Sequence, residues 1–284
     1  MIKINNFENN KNLVKLEQKG CFAIYEHKQD LSVSPFEAST AYFMQQMNFK
    51  KRQVLCTLND NSVKIQAGAM QWTAGNVESK TGVKNIGGFL KGALKGAVTG
   101  ESALKPVYNG NGYLMLEPTF KYLMIEDIAS WGDAGVVMQD GLFLACESSV
   151  NEKVIARSSL SSALAGGEGL FNLCLSGSGL AVFESPVPRD ELYEIELDND
   201  VCKIDGNMAI AWSASLKFTV ERSSKSLLGS ALNGEGLVNV YRGSGKIWFC
   251  PTIPGTLESG AYGVSGAKAK KGIVGNILNK FSGS

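Results

Sequence analysis

Residues Gly166–Phe183 read GGEGLFNLCLSGSGLAVF, and the same design returns twice more in the chain. Thr99–Leu116 is TGESALKPVYNGNGYLML and Asn233–Phe249 is NGEGLVNVYRGSGKIWF. Each runs from Gly-Glu through an apolar stretch to Gly-x-Gly and a second apolar stretch. The glutamates Glu101, Glu168 and Glu235 stand 67 residues apart in both intervals. The pairs Gly110–Gly112, Gly177–Gly179 and Gly243–Gly245 are spaced by 67 and then 66 residues. Self-similarity at a fixed period marks a repeated structural unit.

More of the unit surrounds this core. Upstream of each Gly-Glu lie Leu90, Ala93 and Leu94, then Leu160, Ala163 and Leu164, then Leu228, Ala231 and Leu232. Their i, i+3, i+4 spacing puts three side chains on one face of a short helix. Further upstream, VLCTL, VKIQA, GVVMQ, YEIELD, VCKID and LKFTVE are short, β-branched or aromatic, and partly alternating, which is strand chemistry. Gly-x-Gly between two such runs predicts a hairpin turn, because glycine reaches positive φ without a Cβ clash. The expectation is an all-β fold: three tandem β-sheet repeats in a pseudo-threefold sandwich or barrel-like arrangement, with short helices between strands. The repeats fall at about 51–120, 121–186 and 187–251. Residues 1–50 form an N-terminal extension in which FAIYE reads as a strand and AYFMQQM is ambiguous. Residues 252–284 read as a mobile Gly/Ala/Lys tail.

Composition narrows the function. Across 284 residues, 28 Lys and Arg oppose 27 Asp and Glu, so the net charge of +1 argues against a nucleic-acid binder, which draws its affinity from excess positive charge. Six scattered cysteines form no C-x-x-C pair, and with His27 as the one histidine a zinc site or redox motif has no basis. Several sit in apolar runs such as FNLCL and IWFC, where reduced core thiols are expected. No apolar run is long enough to span a bilayer, and the polar N-terminus does not resemble a secretory signal, so a cytoplasmic location is expected.

The Gly-Glu-Gly-Leu-Phe core, the AGAMQWTAGNVE segment and the IDGNMAIAWSASLKF segment together resemble the altered inheritance of mitochondria 24 family, over about residues 45–251. The resemblance implies a fold similar to the tryptophan RNA-binding attenuation protein, with internal duplication, and a homo-oligomer. It carries over no catalytic residue. Ser102 stands where the other two copies place glycine after the glutamate.

The three glutamates are the candidate binding residues. Three carboxylates related by repetition could converge on a cation or a basic partner, or each could accept backbone N–H bonds within its own loop. Repetition favours the second role. The Gly-x-Gly pairs lack the strand-to-helix context of a dinucleotide site. His27, in YEHKQD, lacks a nucleophile elbow and reads as solvated. Trp212 and Trp248 lie among apolar neighbours, so packing is expected rather than a stacking platform. The cluster Lys268–Lys271 with Ile273–Phe281 could touch an anionic membrane, although such contact needs more charge or a lipid anchor. The sequence therefore points to a non-enzymatic oligomeric interaction or scaffold protein, without cofactor, whose protein partner it does not name. The alternative is a small-ligand- or RNA-binding module.

Overall fold

Alternation and β-branched runs set the class, and the computed structural model is predominantly β. It describes residues 2–80, 105–156, 171–222 and 237–252. The expected site residues Glu101, Glu168 and Glu235, the three short helical stretches before them and the tail beyond Thr252 lie outside these described residues.

The chain opens with the hairpin β1 (Leu13–Lys19) and β2 (Phe22–His27), followed by helix α1 (Ala38–Gln46). FAIYE is thus strand, and the ambiguous AYFMQQM stretch is helix. Next come β3 (Arg52–Ile65), β4 (Met70–Lys80) and β5 (Val107–Leu116). The middle of the chain has shorter strands: β6 (Tyr122–Asp127), β7 (Val136–Met138), β8 (Phe143–Glu147), β9 (Asn151–Ala156), β10 (Phe171–Ser176) and β11 (Leu180–Ser185). The last group is β12 (Tyr193–Asp205), β13 (Ala209–Ser213), β14 (Lys217–Arg222) and β15 (Leu237–Phe249).

Two curled antiparallel sheets result. One runs β1-β2-β3-β8-β11-β6, with β5 on the opposite edge of β3 and β4 outside β5. The other runs β12-β15-β13-β7-β10-β9, with β14 also on β15. Within residues 52–116 the strand carrying Gly-x-Gly, β5, pairs with both β3 and β4. In 122–185, β11 lies between β6 and β8 while β10 lies between β7 and β9. In 193–249, β15 pairs with β12 on one side and with β13 and β14 on the other.

The hairpin expectation for Gly-x-Gly is corrected here. Gly110 and Gly112 lie inside β5, and Gly243 and Gly245 lie inside β15. Gly177 and Gly179 do occupy a turn, but it joins β10 to β11, which belong to different sheets. Close backbone approach is the reason glycine is required. Gly110 has φ 127°, and a Cβ there would lie 2.1 Å from the Asn76 carbonyl oxygen on β4. Opposite it, β3 bulges at Asp60, which has φ 53°. Bulge and glycine together let two long strands bend without separating.

Among the described residues three apolar clusters fill the fold. The largest joins the two sheets, packing Phe143 and Phe183 of the first against Met138, Leu175 and Trp248 of the second. Trp131 meets Trp248 edge-on at 4.9 Å between ring centroids. A second cluster lies inside the curl of the first sheet, where Phe22 and Ile24 of β2 face Leu123 and Ile125 of β6. A third lines the second sheet around Trp212 and Tyr241. Trp212 and Trp248 are core residues, as expected. All six cysteines are free thiols, four of them buried.

Candidate interaction surface

Edge strands and unburied helices are where a β protein meets partners, and here the two features adjoin. Between β1 and β6, two of the edge strands of the first sheet, lies a cleft of about 540 Å³. The β6 segment Leu123–Ile125 lines it on one side and Leu16 and Glu17 of β1 on the other, with Arg52 and Arg189 among the lining residues towards opposite ends of β6.

Arg52 anchors the near end. It is 2% exposed, and its Nη2 donates to Glu26 Oε2 at 2.8 Å and to both the carbonyl and side-chain oxygens of Asn48 at 3.1 Å. Its guanidinium lies 4.3 Å from the centroid of the Tyr122 ring, and the Tyr122 hydroxyl donates to the Asn48 carbonyl at 3.3 Å. Lys50 Nζ reaches the other Glu26 oxygen at 3.0 Å. One carboxylate thus fixes β2, β3 and the chain leaving α1 in a single charge-assisted network. Every cation of the Lys50–Arg52 cluster is paired within the chain, Lys51 with Asp30 at 2.7 Å and the other two with Glu26.

The far end holds a second network. Arg189 Nη1 donates to Glu126 Oε1 at 3.0 Å, and its guanidinium stacks 4.1 Å from the Trp248 ring. Burial pushes the Glu126 carboxyl above its ordinary value, although Arg189 and Lys246 pull the other way. Burial also works against charge at Glu194, but the Trp248 indole N–H at 2.7 Å, Lys246 and Arg189 outweigh it and hold that carboxyl low. Both ends of the cleft are therefore arginine–carboxylate clamps over an apolar floor, an arrangement suited to holding an extended chain or an apolar side chain.

Beside the cleft runs the strap formed by α1 and its flanks. No residue of α1 is buried. Phe36 is 97% exposed, Phe43 67% and Met47 70%, and Tyr42 is also exposed. Phe43 and Met47 are one helical turn apart and share a face.

His27 is half-buried rather than solvated, with Nε2 2.9 Å from Gln53 Oε1. Among the described residues no three His, Cys, Asp or Glu side chains gather as a metal would require, and no helix is long and apolar enough to cross a membrane. Sequence reading missed the Arg52–Glu26–Tyr122 network, whose members come from three strands. It saw the strap only as an ambiguous segment, though the charge-free run ASTAYFMQQMNF was a usable signal.

Comparison with known proteins places the chain. The family model described as Mitochondrial biogenesis AIM24 matches residues 44–252. The chain belongs to the AIM24 family. An uncharacterised protein of Streptococcus pyogenes serotype M6 is 30% identical over 194 residues, 66% of this chain and 75% of that protein. A crystal structure of a Streptococcus pyogenes protein matches with a TM-score of 0.53 at 27% identity, covering 76% of this chain and 93% of its own. The AIM24 match spans Arg52, Asn48 and Tyr122, the β6 side of the cleft and strands β3 to β15, while β1, β2 with Glu26, and most of α1 precede it.

Proposed function

We propose that this AIM24-family protein is a non-enzymatic interaction or scaffold protein that assembles with copies of itself, and that residues 51–251 comprise three copies of one sheet-forming unit. The strap is the observation that carries the assembly reading. Phe36, Tyr42, Phe43 and Met47 stand in water while α1 contributes nothing to the core. Contiguous exposed apolar surface is costly in water and typical of contact surfaces. In a two-fold contact each patch meets its own copy. Residues 38–49 carry no charge, so no like-charge repulsion opposes that meeting. The internal pairing of the Lys50–Arg52 cluster favours a protein partner over RNA. The triplication is supported by the strands that carry or flank Gly-x-Gly having partners on both edges in each third: β5 between β3 and β4, β10 and β11 between β7 and β9 and between β6 and β8, and β15 between β12 and the pair β13 and β14.

Light scattering on a size-exclusion column tests the assembly. The full chain should elute at a multiple of its 30.4 kDa mass. Phe43→Ser with Met47→Ser should return it to the monomer with an unchanged far-UV spectrum. A wild-type chain that stays monomeric at high concentration refutes the reading.

A further inference from the structure

Two strand junctions connect the three groups of strands, and they share one register. Val63, Lys64 and Ile65 of β3 pair with Glu147, Cys146 and Ala145 of β8. Val136, Val137 and Met138 of β7 pair with Ser213, Trp212 and Ala211 of β13. The Gly-x-Gly strands supply a common ruler. Lys64 lies opposite Val107 and Val137 opposite Cys174, each three residues before the first glycine of its pair. Cys146 lies opposite Ala181 and Trp212 opposite Ile247, each two residues after the second glycine. Both junctions therefore join the first kind of position in one group to the second kind in the next.

On the flank that β3 and β7 occupy the first position recurs in β12, on the flank that β8 and β13 occupy the second recurs in β4, and neither is used. Lys203 of β12 lies opposite Val240, three residues before Gly243. Thr73 of β4 lies opposite Leu114, two residues after Gly112. Among the described residues β12 pairs only with β15 and β4 only with β5, so each keeps one free edge. Thr73 and Lys203 are both exposed.

We infer that these edges join between copies of the chain: β12 of one copy pairs antiparallel with β4 of the next. The shared register sets Ile204 opposite Trp72, Lys203 opposite Thr73 and Cys202 opposite Ala74. A free edge presents a row of N–H and C=O groups that a second strand satisfies. These three pairs bring no like charges together, and they set an aliphatic side chain beside an aromatic one, a favourable cross-strand pair. Because the two edges are different surfaces, the contact is head-to-tail and builds rings or filaments rather than a closed dimer. It rests on the assembly reading above but uses a surface separate from the strap.

Cross-linking of full-length chains tests the register. One population carries Thr73→Cys with Cys202→Ser, and a second carries Lys203→Cys with Cys202→Ser. Mixed and mildly oxidised, they should yield a disulfide-linked product containing one chain of each, absent from either population alone. Thr73→Cys in a chain that keeps Cys202 should cross-link far less, because neighbours along a strand point to opposite faces. Absence of the mixed product from folded variants overturns the inference, as does equal cross-linking at Cys202. A chain carrying Thr73→Cys, Lys203→Cys and Cys202→Ser together that forms only an intrachain bond also overturns it, by showing closure within one molecule. Repeating the mixture with Phe43→Ser and Met47→Ser separates the two proposals. Monomer at the strap is excluded as the cause if the cross-link persists, and strap assembly without any cross-link refutes the edge pairing alone.

Discussion

Removing Arg52 alone should destabilise the protein far more than removing Arg52 and Glu26 together. Arg52 and Glu26 are both buried, and their closest atoms are 2.8 Å apart. In Arg52→Met the side-chain volume is roughly kept, but Glu26 loses one of its two cationic partners, and both Asn48 oxygens lose the Arg52 donor, the carbonyl keeping only the Tyr122 hydroxyl. Breaking a buried pair by deleting one member costs about 3–5 kcal/mol. Lys50 still reaches Glu26 at 3.0 Å, which places the expected loss at the lower end, about 3 kcal/mol. For a chain of 284 residues that corresponds to a melting temperature lower by about 5 °C. Glu26→Gln with Arg52→Met replaces both charges and should recover most of the loss, since a buried ion pair replaced as a unit is close to neutral. Urea denaturation of the wild type, both single variants and the double variant gives the coupling energy directly. The expected value is above about 1 kcal/mol. Additive single-variant losses, with no coupling, would refute the view that this network ties the strap to the sheet.

Two further outcomes follow from the same structure. Gly110→Ala should cost about 3 kcal/mol, from positive-φ strain and the clash with the Asn76 carbonyl. Gly68→Ala, where φ is 82° but nothing lies within 4 Å, should cost only the backbone strain, about 1 kcal/mol; equal losses in chemical denaturation would remove the close-approach argument. Glu126, raised by burial, binds its proton more tightly folded than unfolded, so its contribution to stability is fully present below pH 4.5 and is lost as pH rises through its elevated folded value. Glu126→Gln should flatten that part of the stability–pH profile, and an unchanged slope would show that the carboxyl is not held in a desolvated site.

Legibility differed from element to element. The strands were visible because alternation and β-branching are local, so FAIYE and YEIELD could be read without knowing their neighbours. Helix α1 was ambiguous for a physical reason: it buries no face, so no core selects a helical period in its sequence. The Gly-x-Gly pairs were seen but misassigned to hairpins. Positive φ suits a tight turn and a bent strand equally, and the carbonyl of Asn76 that distinguishes them is 34 residues away in sequence from Gly110. The cleft was invisible, because Arg52 and Glu26 become partners only when β2 and β3 pair.

The amino-acid order by itself determined the all-β class, the family and the apolar residues that fill the interior, Trp212 and Trp248 among them. These depend on composition and short-range periodicity, which the unfolded chain already possesses. Only the folded molecule decided which strand lies beside which, and with that the cleft between β1 and β6, the buried Arg52 network and the two unused edges. Strand pairing fixes such features because each hydrogen-bonded register brings together residues that no local pattern relates.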